Sequence, residues 1–388
     1  MITASPAPTF PGLVNLSSAS FGAEVLGCSD EFFAEASNLV EPKPAVFDPD
    51  RYTERGKWMD GWESRRRRSV GEDWCVLRLG ARGHLRALDL DTSHFLGNHA
   101  PLARVEACDA PGARSLEALA DAAWFPVLDQ APLQPGSHNL FTVIEQRPVT
   151  HLRLTITPDG GVARLRSFGV VSPSWDAPID DEARAAISPG EVDLAALRHG
   201  GRALACSDMF FAPMNNLIAP GRSTYMGGGW ETRRRRGPGH DWILIELAAP
   251  GTLGTIEFDT GHFHGNHAGR CSLWGVHAPA AKLADLLAGS RAQGGWHEVL
   301  PESPIAPDRW KRIVAERPLG PDRREFVREL EDRGPFTHVR LEAFPDGGVA
   351  RLRVYGRAGG RAGGQASGQA GGQAQRRVEG QTSAESDS

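Results

Sequence analysis

Apolar and polar residues alternate with a period of two along short stretches of this chain, and the stretches come in pairs. In Leu88-Asp-Leu-Asp91 and Ile256-Glu-Phe-Asp259 the apolar side chains point one way and the acids the other, the pattern of a strand with one wet face. Trp242-Ile-Leu-Ile-Glu-Leu247, His151-Leu-Arg-Leu-Thr-Ile156 and Thr337-His-Val-Arg-Leu341 read the same way, with Gly and Pro turns between strands. Helical periodicity is confined to Ser115–Ala123 and Ala280–Ala288, which read as connectors. Many short strands and few helices predict an all-β chain built of jelly-roll β-sandwiches, with an immunoglobulin-like sandwich as the other arrangement this periodicity allows.

The pairing of stretches is a duplication. Cys28-Ser-Asp-x-Phe-Phe33 returns as Cys206-Ser-Asp-x-Phe-Phe211, and Gly61-Trp-Glu-Ser-Arg-Arg-Arg-Arg68 as Gly229-Trp-Glu-Thr-Arg-Arg-Arg-Arg236. Asp91-Thr-Ser-His-Phe-Leu-Gly-Asn-His99 returns as Asp259-Thr-Gly-His-Phe-His-Gly-Asn-His267, and Pro158-Asp-Gly-Gly-Val-Ala-Arg-Leu-Arg166 as Pro345-Asp-Gly-Gly-Val-Ala-Arg-Leu-Arg353. Insertions fall between these blocks, as surface loops allow. So long a period is a whole domain rather than a solenoid unit. The expected organisation is one repeat over 15–171, a Pro- and Ala-rich linker over 172–190 and a second repeat over 191–357. The remainder, 358–388, is Gly, Gln, Ala, Arg and Ser with almost no large apolar residue, and is read as a disordered tail.

A chain of 388 residues suits two such domains, and its net charge of −5 argues against nucleic-acid binding through a basic surface. Five cysteines at 28, 75, 108, 206 and 271, with no Cys-x-x-Cys, do not suit a disulfide scaffold or a zinc ribbon. The start Met-Ile-Thr-Ala-Ser-Pro lacks the basic and apolar runs of a secretion signal, and no segment suits a bilayer span. The expected location is the cytoplasm, with no membrane partner.

What the duplication retained is largely Asp, His, Asn, Glu, Arg, Trp and Gly, beyond the needs of a core. In Asp-Thr-x-His-Phe-x-Gly-Asn-His an acid beside imidazoles suits acid–base catalysis near neutral pH. The same residues also suit turn capping, or a ligand set of one Asp and two His, although no strong metal signature is present. In the Gly-Trp-Glu block a guanidinium suits a carboxylate, or the block is loop packing with Trp buried and Glu paired to a local Arg. Arg164 and Arg166, like Arg351 and Arg353, share one strand face and suit an anion or the acids of a neighbouring strand. Asp60 precedes the first Gly-Trp, whereas Gly228 stands at the matching place, so two equivalent sites are not assured. Trp124 and Trp296 read as packing residues.

Taken in order, these blocks, with Asn38-Leu-Val-Glu-Pro and Lys57-Trp-Met-Asp-Gly-Trp-Glu-Ser-Arg-Arg, resemble those of the allantoicase family from about Asn15 to Gly356. The resemblance implies a duplicated jelly-roll similar to galactose-binding domains, acting as a hydrolase in purine breakdown. The implied substrate is allantoate, the products ureidoglycolate and urea, and the assembly a homo-oligomer.

Allantoate carries one carboxylate and two ureido groups on a single carbon, which sets what a site must supply. Arg65 or Arg166, and Arg233 or Arg353 in the second copy, are expected to anchor the carboxylate. Glu63 and Asn98, with Glu231 and Asn266, are expected to hold the ureido groups. His94 or His99, oriented by Asp91, is expected to act as acid and then activate water, with His262, His267 and Asp259 as equivalents. No metal or other cofactor is expected, since the second ureido nitrogen itself helps expel the first. A ureidoglycolate hydrolase and a non-catalytic binding module are the rival readings.

Overall fold

A computed structural model describes residue 10 and residues 13–175, 180–287 and 307–359. The expected tail beyond Gly359 and Trp296 lie outside the described residues. Each repeat is a β-sandwich organised around one long strand, Asp73–Asp91 in the first and Asp241–Asp259 in the second.

The long strand belongs to two layers. Its first half pairs with Val149–Thr157 and Glu24–Cys28, and Leu102–Cys108 and Phe125–Pro132 extend that layer. The second half pairs with Arg164–Val171 on one side and His138–Thr142 on the other. The crossing falls near Gly80 and Gly83, where an added Cβ would lie 2.3 Å from the Phe21 carbonyl and 2.6 Å from that of Val170. Only glycine lets the backbones approach this closely while the strand changes layers. The second repeat copies the plan, with Phe336–Phe344 and Arg202–Cys206 on the first half and Arg351–Ala358 and Arg324–Val327 on the second.

Every stretch read as a strand from its alternation is one, and the connectors contain a 3-10 turn at Glu117–Leu119 and a helix at Leu283–Leu287. The expected wet face is different. Asp89 and Asp91 are 0% and 1% exposed, and Glu257 and Asp259 are 2% and 1% exposed, so both faces of the long strand are buried near its end. The acids are covered by a polar layer, in which Arg164 and Arg166 of the neighbouring strand are themselves buried. Charges survive burial when opposite charges and hydrogen bonds surround them.

Trp62 and Trp230 are fully buried, and each donates its indole N–H to the backbone carbonyl of Asp30 or Asp208. Trp124 is partly buried against Val76, Cys108 and Leu119. Between Phe47 and Gly61 the first repeat carries a longer segment than its counterpart, and this folds into the hairpin Tyr52–Thr53 with Gly56–Lys57. The segment between repeats contains a short helix, Asp181–Ala186, capped by Asp180. Arg324 of the second repeat holds both Asp180 and Glu182, tying that helix down. Among the described residues, no helix is long and apolar enough to cross a membrane.

Candidate functional site

Three blocks far apart in sequence meet at one end of each sandwich. Glu63 pairs with Gly161, and Gly161 in turn bridges to His99. The second repeat repeats this with Glu231, Gly348 and His267. The glycine is needed: a Cβ on Gly161 would sit 2.0 Å from the Phe95 ring, and one on Gly348 2.1 Å from Phe263. Across this small ladder Asn98 donates its amide N–H to Glu63 at 2.8 Å, and Asn266 to Glu231 at 2.7 Å. Burial pushes both glutamate carboxyls above their ordinary range, although each amide hydrogen bond works the other way.

The same end presents an unusual histidine. His94 and His262 have φ of 71° and 70°, a left-handed conformation that side chains other than glycine adopt at a cost. Each ring Nε2 lies at hydrogen-bond distance from a backbone carbonyl, Ala45 at 3.1 Å and Ser223 at 2.9 Å. A carbonyl only accepts, so Nε2 carries the proton and Nδ1 of the neutral ring keeps its lone pair.

Asp91 accepts a hydrogen bond from the Ser93 N–H at 2.8 Å, and Asp259 from the Gly261 N–H at 2.7 Å. Among the described residues, neither carboxylate bonds to His94, His99, His262 or His267. Each acid instead fixes the turn that holds the following histidine. His99 Nδ1 is buried without a hydrogen-bond partner among the described residues, whereas His267 Nδ1 lies 3.2 Å from the His264 carbonyl.

A carboxylate–imidazole contact beside the long strand's end was missed from the sequence. His138 Nδ1 lies 2.8 Å from Asp89, and burial raises the Asp89 carboxyl to about 6 despite that imidazole. No repeated block contains His138; its equivalent is Arg324, which donates to Glu257 at 2.7 Å.

The arginines divide. Arg65 and Arg233 are mostly exposed, and each engages an acid of its own repeat, Asp30 or Asp208, through Nε. Arg67 and Arg235 pair with Asp73 and Asp241. The loop-packing alternative for this block is thus partly realised, except that Glu63 pairs with Asn98 rather than with a local arginine. Arg166 and Arg353 are buried beside the strand-end acids, and burial holds the Arg166 guanidinium below its ordinary range. Arg166 Nη1 has no hydrogen-bond partner among the described residues, while Arg353 Nη2 donates to the carbonyls of Ala219 and Gly221.

Next to these, Arg164 and Arg351 make matching backbone contacts and different side-chain ones. Arg164 donates to the carbonyls of Lys43, Asp60 and Ala163, and Arg351 to those of Gly221, Gly228 and Ala350. Arg164 Nη2 also holds both oxygens of the Asp60 carboxylate. Gly228 offers none, and burial with the nearby Arg353 charge lowers the Arg351 guanidinium to about 9. The Asp60–Gly228 mismatch was the sequence signal for this difference.

Arg351 lines a cavity of about 720 Å³ between the repeats. The second repeat supplies Arg353, Glu257, Asp259 and Arg324, and the first contributes the Glu41–Lys43 segment. Lys43 also places its ammonium over the Tyr225 ring, 4.7 Å from the centroid. Among the described residues, no group of three or more His, Cys, Asp or Glu side chains has a metal-binding arrangement.

The comparisons agree with the duplicated plan. A family model described as the allantoicase repeat matches residues 14–172 and again 192–359. A probable allantoicase of Photobacterium profundum is 42% identical over 347 residues, covering 89% of this chain and 97% of that protein. A probable allantoicase 1 of Burkholderia mallei is 41% identical, covering 88% and 94%. The crystal structure of allantoicase from Saccharomyces cerevisiae superposes with a TM-score of 0.69 at 30% identity, covering 89% of this chain and 93% of that one. Matched in both halves by one repeat model and aligned with these relatives over nearly their whole length, the chain belongs to the allantoicase family.

Proposed function

We propose that this chain hydrolyses allantoate to (S)-ureidoglycolate and urea, a step in allantoin and purine degradation. The observation that carries the assignment of roles is the strained histidine present in both copies. A left-handed His94 and His262, each pinned through Nε2 and each backed by an acid that fixes its turn, leaves Nδ1 as the atom that exchanges protons.

In this reading, protonated Nδ1 gives its proton to the departing ureido nitrogen while the lone pair of the remaining ureido nitrogen forms a C=N bond. The C–N bond to urea breaks, and the neutral imidazole takes a proton from water as its oxygen adds to the same carbon. Allantoate and one water become ureidoglycolate and urea, with the imidazole protonated again for the next cycle. Glu63 with Asn98, and Glu231 with Asn266, hold ureido N–H and C=O groups. Arg166, whose Nη1 has no partner among the described residues, suits the carboxylate better than Arg65 and Arg233, whose Nε groups are engaged by Asp30 and Asp208; its counterpart Arg353 is paired with Asp193. His99 and His267 flank the ladder glycine and support the ureido side of the site.

The purified chain is expected to release urea from allantoate and none from ureidoglycolate. Urea from ureidoglycolate instead would move the activity to that ureide, and urea from neither would leave a binding module. We also place the enzyme in the cytoplasm as a homo-oligomer. All five cysteines are free thiols, which suits a reducing compartment, and Met209, Phe210 and Phe211 stand exposed together on one loop, which suits association.

A further inference from the structure

The two repeats present the same guanidinium in two states of satisfaction. Arg164 Nη2 lies 2.9 Å from both Asp60 oxygens, and its Nη1 donates to the Asp60 carbonyl. Arg351 Nη1 donates to the carbonyl of Gly228 in the same way, so the backbone is conserved and only the carboxylate is missing. Arg351 is 3% exposed, and its guanidinium bonds among the described residues run from Nε and Nη1 to backbone carbonyls. A buried guanidinium with no carboxylate bonded to it is costly; Asp259 and Glu257 act on it only from a distance, and Arg353 beside it adds like charge. Arg351 also lines the cavity between the repeats, which has room for a small molecule.

We infer that this cavity is a carboxylate-binding site, in which a small anion takes on Arg351 the place that the Asp60 carboxylate takes on Arg164. The first repeat thus closes its own guanidinium with an internal carboxylate, and the second leaves it for a ligand. Glu257 and Asp259 on the same wall are acceptors, so the ligand class is a small carboxylate that also carries N–H donors. Lys43 and Glu41 reach the cavity from the first repeat, making the site a property of the paired repeats. Allantoate and its product belong to this class, and that identification alone rests on the function proposed above.

The test uses the full chain and N-carbamoylglycine, which has one carboxylate and one ureido group on a single carbon. Titration calorimetry is run on wild type, Gly228→Ala, Gly228→Asp and Arg351→Gln. A Cβ at position 228 meets the Ser223 hydroxyl at 2.4 Å, which must then leave its bond to the Tyr225 carbonyl, so the alanine variant measures that displacement and Gly228→Asp is judged against it. Wild type and Gly228→Ala are expected to bind with similar affinity, and Gly228→Asp and Arg351→Gln at least about tenfold more weakly. No binding to wild type, or equal binding by Gly228→Asp and Gly228→Ala, overturns the inference. If Arg351→Gln does not fold, the alanine–aspartate comparison still decides.

Urea release from allantoate, measured in parallel, separates this inference from the reaction. Release with binding insensitive to position 228 removes the site and keeps the reaction; sensitive binding without release does the reverse. Where both hold, a KM for allantoate raised about tenfold in Gly228→Asp assigns the site to substrate, and an unchanged KM assigns it to another carboxylate of the same class.

Discussion

Asp60 grips Arg164 through both carboxylate oxygens, each 2.9 Å from Nη2, with the arginine side chain only 2% exposed. Removing one partner of such a pair leaves a buried charge uncompensated, at a cost of about 3 kcal/mol. Asp60→Ala is expected to lose about that much stability in guanidinium chloride unfolding, and Asp60→Ala with Arg164→Met to recover part of it. An unchanged midpoint in Asp60→Ala would show that the backbone carbonyls alone satisfy Arg164.

Asparagine tolerates the left-handed conformation better than most residues, so His94→Asn and His262→Asn keep the turn while removing the proton carrier. Urea release is expected to fall about 100-fold or more in the copy that performs catalysis, with the melting temperature little changed. His99→Asn and His267→Asn are expected to have smaller effects. Near-full turnover in both His94→Asn and His262→Asn would refute the acid–base assignment.

Asp89 titrates near 6 in the folded chain against an ordinary value of 3.8. The folded state therefore binds this proton more tightly than the unfolded state. Its stabilising effect is full below about 4 and is lost as pH rises through about 6, a change on the order of 3 kcal/mol. Stability of wild type relative to Asp89→Asn, followed by denaturant unfolding from pH 4 to 7, should decline across that window. A flat difference would mean that His138 and Arg166 compensate the charge fully.

Gly161→Ala drives a methyl group into the Phe95 ring, and Gly348→Ala does the same at Phe263. Each is expected to cost about 1–3 kcal/mol and to lower urea release, since the ladder holding Glu63 or Glu231 must open. Unfolding curves and activity measured on the same preparations check both; a variant with wild-type stability would show that the ring moves freely.

The strands and the pairing of repeats were legible because alternation and duplication are local properties of the sequence. The retained blocks also come together at one end of each sandwich, since Glu63, Asn98, His99 and Gly161 all belong to them and do meet. What local pattern could not give was the cover on the second face of the long strand. Leu88-Asp-Leu-Asp91 looks half-wet in isolation, yet a neighbouring strand brings Arg164 and Arg166 over the acids. The Asp89–His138 contact was equally hidden, because it depends on strand register and the second copy replaces the imidazole with Arg324. Asp91 lies close in sequence to His94, but its carboxylate takes the nearer backbone N–H of Ser93.

The strand Asp73–Asp91 is a member of both layers of its sandwich. The layers therefore cannot slide over one another or peel apart separately, because either movement breaks ladders that share one continuous backbone. Amide protons on the two faces of a repeat are thus expected to exchange together, in a single cooperative opening. The turn at its end that carries His94 inherits that rigidity: strain at His94 persists only while the whole repeat stays closed.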